Sequence, residues 1–132
     1  METEIDLDAL RSVVSRYGLL LIALFGSRAK RSSREASDID LAVLARRPAW
    51  DDADWLPNLE ADLPLAFRGH EVDVSLLNEA SPLLMFEVAR AGRVIFEEPG
   101  TFSSFRSQAA RMYYDNEARM LRQADYLKRN RS

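Results

Sequence analysis

Cysteine is absent from the 132 residues, and histidine occurs once, as His70. Without thiols there is no disulfide, no thiolate nucleophile and no Cys-ligated zinc, and a single imidazole excludes any site that needs two. A cationic excess is missing too, since 18 Lys and Arg stand against 21 Asp and Glu for a net charge of −3. Broad nucleic-acid footprints show as basic excess or stripes, so no direct nucleic-acid contact is expected. Long apolar runs are also lacking. The longest, Leu19 to Phe25, is far shorter than the roughly 20 residues of a membrane-spanning helix, and the acidic start METEIDLD does not read as a signal peptide. The expected setting is the cytoplasm, with no membrane partner.

What is present suits one α/β domain over residues 1–132, long enough for a single core and too short for two. Leu7, Leu10, Val13, Val14 and Tyr17 recur at helical spacing and Gly18 follows, which predicts a first helix closed by a C-terminal glycine. Leu19–Phe25 is apolar on both faces and predicts a strand buried on both sides. Asp38–Leu44 predicts a second strand, with Ile39, Leu41 and Val43 on one face and Asp38, Asp40 and Ala42 on the other. A short helix is expected from about Asp54 to Asp62. A half-buried strand follows from His70 to Leu77, with Val72, Val74 and Leu76 opposed to Glu71, Asp73 and Ser75. Ser81-Pro82 opens a helix that reaches Ala91, and Val94–Phe96 is a brief edge strand. After Pro99-Gly100, a long helix capped by Thr101 or Ser103 is expected to run to about Arg129.

Chemistry concentrates between Phe25 and Leu41, FGSRAKRSSREASDIDL. Gly26 ends a buried strand in a turn whose backbone can approach a phosphate, with the Ser27 hydroxyl and nearby amides as further donors. Arg28 and Lys30 are placed to assist. Asp38 and Asp40, two apart on a strand, share a face. A bare D-x-D is weak, because Asp6-x-Asp8 and Asp52-x-Asp54 repeat it where helices start, and there it serves as capping and dipole chemistry. Within a strand, however, Asp is disfavoured and a same-face pair repels unless a cation intervenes. Hard oxygen ligands beside a phosphate-holding turn suit Mg²⁺ or Mn²⁺ with a nucleoside triphosphate. Pattern alone leaves the third carboxylate open between Glu71 and Asp73, although Asp73 stands in mid-strand between two valines.

Gly26, Ser27, the run Ser37-Asp38-Ile39-Asp40 and a later strand bearing Asp73 resemble the nucleotidyltransferase superfamily of DNA polymerase β type. The small size resembles its minimal branch, the MNT-domain antitoxins of HEPN/MNT toxin–antitoxin systems. The resemblance implies a minimal nucleotidyltransferase fold, a small mixed sheet flanked by helices with a long C-terminal helix. It implies an enzyme that transfers AMP from ATP to a hydroxyl, a tyrosine by expectation, of a HEPN ribonuclease toxin. Asp38, Asp40 and Asp73 would hold two Mg²⁺ or Mn²⁺ ions, and Asp73 would take the proton of the attacking hydroxyl. Gly26, Ser27, Arg28 and Lys30 would hold the nucleotide. A glycine common in the family near position 31 is Arg31 here. The rival readings are an antitoxin that acts by contact with a vestigial nucleotide site, and a nucleotidyltransferase acting on a small molecule. The last helix carries more apolar residues than a small sheet can cover, so its half from Met112 onward is expected to form a partner or homo-oligomeric interface.

Overall fold

The computed structural model describes residues 4–26, 38–49, 51–68 and 70–129. Helix α1 spans Leu7–Tyr17, and Asp6 caps it by accepting the Asp8 and Ala9 amides, each at 3.1 Å. Those amides, Ala9 first, and the Arg68 guanidinium at 3.1 Å hold the Asp6 carboxyl below its ordinary value. Gly18, at φ 64°, closes the helix and turns the chain into strand β1, Leu19–Phe25. The expected boundaries hold here to within a residue or two.

Strand β1 lies in the middle of the sheet. Strand β2, Ile39–Ala45, and strand β4, Arg93–Glu97, flank it, both antiparallel to it. Strand β3, Val72–Leu76, adds to β2 in parallel, giving the order β3-β2-β1-β4 and the mixed sheet expected. A bulge between Leu19 and Leu21 shifts the β1 alternation, and from Leu21 to Phe25 the pairing with β2 is regular, ending on Phe25 against Asp40.

Each sheet face carries its own core. Leu19, Ile22, Leu24, Ile39, Leu41 and Val43 pack under α1 and helix α2, Trp55–Asp62. Pro57 falls in the first turn of α2, where an amide has no partner to lose. Instead of ending at Asp62, the coil tightens into a 3₁₀ turn, Leu63–Ala66, with Pro64 near its start, and Leu63 and Ala66 are wholly buried. Tyr17 meets Trp55 edge to face at 6.0 Å and donates its hydroxyl to Asp62. Desolvation, and then the Asp62 carboxylate, push the Tyr17 hydroxyl above its ordinary pKa.

The other face, with Leu21, Ala23 and Ala42, packs under helix α3, Pro82–Ala91, and helix α4, Thr101–Arg129. Ser81 caps α3 as expected, accepting the Leu84 amide at 3.2 Å. Neither expected cap serves α4: Thr101 is already helical, and Glu97 at the end of β4 accepts the Phe102 amide at 3.0 Å. The apolar stripe of α4 is buried only at its start, through Phe105 and Ala109. Tyr113 stacks on half-buried Phe86 of α3 at 4.0 Å and Met112 packs against the core, so both residues, expected to be part of an interface, are already half-covered by the domain itself. Every residue from 117 to 129 is exposed. No described helix is long and apolar enough to cross a membrane.

Candidate active site

Three backbone features bring the sequence-predicted carboxylates to one place. Parallel pairing of β2 with β3 sets Asp40 directly against Asp73 and Ile39 against Val72. Because Ile39, Leu41, Val72 and Val74 all join the core beneath α1 and α2, both aspartates point to the opposite face. Asp38 precedes β2 by one residue and is exposed, and the Ile39 amide donates to the Glu71 carbonyl at 2.8 Å, which continues the ladder to the mouth of the sheet. Burial falls steadily along this face, from Ala42 at 0% exposure, through half-buried Asp40, to exposed Asp38 and Asp73. The acidic rungs therefore lie where the helical cover ends and solvent or a ligand can enter.

Gly26 completes the mouth. It has φ 82°, a conformation that L side chains rarely adopt, and a β-carbon built on it would stand 2.6 Å from Asp40 Oδ2. Both constraints select glycine, since the backbone turns sharply and the Asp40 carboxylate occupies the space a side chain would need. The turn after β1 and the acid of β2 are thus in direct contact across the sheet end.

A hard divalent cation fits this donor set. Asp40 and Asp73 are like charges facing each other on one rung of adjacent strands, an arrangement that is unfavourable unless a cation separates them, and all the donors are carboxylate oxygens. Among the described residues the side chains do not close into a finished group of three metal-ligating acids. What the fold fixes is the alignment of the strands that carry them. Ser27, Arg28 and Lys30, expected at the nucleotide, lie outside the described residues.

One residue that secures this geometry escapes the sequence pattern. Beyond the end of β3, Asn78 clamps β2 by accepting the Ala45 amide at 2.9 Å and donating to the Ala45 carbonyl at 2.8 Å. The side-chain amide replaces a missing strand residue and so locks β2 against β3, and with it the Asp40–Asp73 rung. Alternation could not signal it, because it follows the strand instead of belonging to it.

The polymerase beta nucleotidyltransferase family pattern matches residues 9–100. A curated relative, the protein adenylyltransferase MntA of Aphanizomenon flos-aquae (strain 2012/KM1/D3), is 31% identical over 99 residues. That alignment covers 68% of this chain and 65% of the relative's own length. Among solved structures, a chain of a toxin–antitoxin complex with AMP-PNP superposes at TM-score 0.71 and 26% identity, covering 92% of this chain and 97% of that one. A chain of the complex between a tri-AMPylated Shewanella oneidensis HEPN toxin and its MNT antitoxin gives 0.66 and 27%, covering 92% of each. The family match takes in the glycine turn, both acidic strands and the sheet that aligns them, and on these grounds the chain belongs to the polymerase beta nucleotidyltransferase family.

Proposed function

We propose that the protein is an antitoxin that transfers AMP from ATP to a tyrosine hydroxyl of a HEPN-type ribonuclease toxin and thereby neutralises it. The observation that carries this reading is the Asp40–Asp73 rung beside Gly26, whose α-carbon leaves no room for a side chain next to Asp40 Oδ2. The named relative is a protein adenylyltransferase, and the solved complexes include one with an AMP-PNP nucleotide and one with an AMPylated toxin. We place the reaction in the cytoplasm.

Each residue has a definite task in this reading. Asp38, Asp40 and Asp73 would hold two Mg²⁺ or Mn²⁺ ions, which when bound supply positive charge to the reacting phosphate and the departing pyrophosphate. Gly26 lets the turn approach the triphosphate closely, and the Ser27 hydroxyl with Arg28 and Lys30 binds its terminal phosphates. Asp73 accepts the proton of the tyrosine hydroxyl. A bond then forms from that oxygen to the α-phosphorus while the bond from the α-phosphorus to pyrophosphate breaks. The proton passes from Asp73 to solvent.

A second reading, neutralisation by contact alone, is favoured by the exposed arm of α4 over residues 117–129. Replacing Asp38 and Asp40 together by Asn separates the two. Transfer of label from α-³²P-ATP to a HEPN-type toxin should fall to background while the fold persists. A double variant that still protects cells fully from that toxin would leave contact as the mode of action.

A further inference from the structure

The distal part of α4 stands away from the domain. Over residues 117–129 every position is exposed, including Met120 at 60%, Leu121 at 65% and Leu127 at 59%. At 1.5 Å per residue this arm is about 20 Å long, and a free helix of that length is marginal in water. Met120 and Leu127 continue the face that buries Phe105 and Ala109 further back, Leu121 stands on the neighbouring face, and within the described chain nothing covers them. Such a stripe calls for a partner.

The spacing on the face that carries Leu121 identifies which partner. Glu117, Leu121, Ala124 and Lys128 follow one another at intervals of four, three and four residues, which sets them on one helix face. That spacing reads the same in both directions. When two copies of the arm lie antiparallel, with the two-fold axis between Leu121 and Ala124, each Leu121 meets the small Ala124 of the other copy. Each Glu117 then lies level with the other copy's Lys128. Large side chain faces small, and anion faces cation, at both ends. Neither Glu117 nor Lys128 has an ion-pair partner among the described residues. A parallel arrangement instead sets Glu117 against Glu117 and Lys128 against Lys128, which repels.

We propose that residues 117–129 form an isologous, antiparallel helix pair with a second copy of this chain, sealed by Leu121–Ala124 packing and two Glu117–Lys128 ion pairs. Met120 and Leu127 border the same seam, and their exposure is lost in the pair. The two domains then sit at opposite ends of the pair, because the seam ends at Glu117, just beyond the Tyr113–Phe86 stack. A seam this short makes a smaller interface than obligate dimers bury, so the dimer is concentration-dependent. The proposal does not depend on AMP transfer and concerns a surface separate from the acidic mouth of the sheet.

Sedimentation equilibrium of the full-length protein, without nucleotide or toxin, over a hundredfold range of concentration tests it. The parent should pass from monomer to dimer. Glu117→Lys and Lys128→Glu should each weaken dimerisation by about tenfold, since two attractive pairs become repulsive, and the combined reversal should restore it. Leu121→Glu should give a monomer with an unchanged melting temperature, because the residue is exposed in the single chain. Three results would overturn the pairing: a parent that stays monomeric throughout, single reversals that dimerise like the parent, or a combined reversal that fails to recover. A monomeric parent whose binding to the toxin is lost on Leu121→Glu would assign the seam to that partner instead.

Discussion

Gly26 shows how one residue serves both fold and site. Alanine there must adopt φ 82°, and its β-carbon would meet Asp40 Oδ2 at 2.6 Å. The backbone term costs about 1–2 kcal/mol. The steric term is cheap in stability, because a carboxylate end can rotate away, but rotation removes the oxygen the site needs. Gly26→Ala should therefore unfold at modestly lower denaturant while AMP transfer falls by about a hundredfold, the scale of a misplaced reacting group. Equal losses of stability and activity would count against this division. Asp6 gives a prediction in pH. Its carboxyl titrates below 3.8 in the folded chain, so the unfolded chain binds more protons between the two values. Stability from this group is complete above the unfolded value and is lost as pH falls through the folded one. Asparagine can still cap but cannot titrate. Asp6→Asn should lose stability less steeply than the parent below about pH 4, as followed by urea unfolding at a series of pH values.

At the scale of elements, caps and periods were readable because they are local. Asp6, Gly18 and Ser81-Pro82 mark helix ends where the structure puts them, and LLLIALF fits a strand buried on both faces. Features that depend on distant partners were not readable. The 3₁₀ turn at Leu63–Ala66 exists because Leu63 and Ala66 are drawn into the core, and Glu97 caps α4 from the neighbouring strand. Alternation showed that Asp40 and Asp73 each face away from the valine-rich core, but a face is not a rung. Their direct opposition comes from strand register, which Asn78 helps to fix. Asn78→Ala leaves the buried Ala45 amide and carbonyl without those bonds and should cost about 1–3 kcal/mol in chemical denaturation. Helix α4 divides in a comparable way. Ending the chain after Asn116 removes, among the described residues, only exposed ones and should leave the melting temperature nearly unchanged. Ending it after Arg111 also removes Met112 and the Tyr113–Phe86 stack, and should lower it clearly.

Across the whole molecule, the acidic mouth sets stability against function. Asp40 and Asp73 face each other on adjacent strands with like charge, a pairing that is destabilising when nothing lies between them. The surrounding sheet, buried on both faces along β1 and β2, tolerates that repulsion, and a bound cation would remove it. Neutralising one partner should therefore have opposite effects in the two conditions. Without ligand, Asp73→Asn should melt slightly above the parent, because the repulsion is relieved and the exposed side chain keeps its shape. With ATP and Mg²⁺ at about a hundred times the dissociation constant, the parent should gain about 2.7 kcal/mol, since ligand that binds only the folded chain stabilises it by mass action. ATP with chelator should give the parent far less. Asp73→Asn should gain little under either condition, so the order of the two melting temperatures reverses on adding ATP and Mg²⁺. If the variant shifts as far as the parent, Asp73 is not a ligand and Glu71, two residues nearer the mouth, becomes the third acid to test.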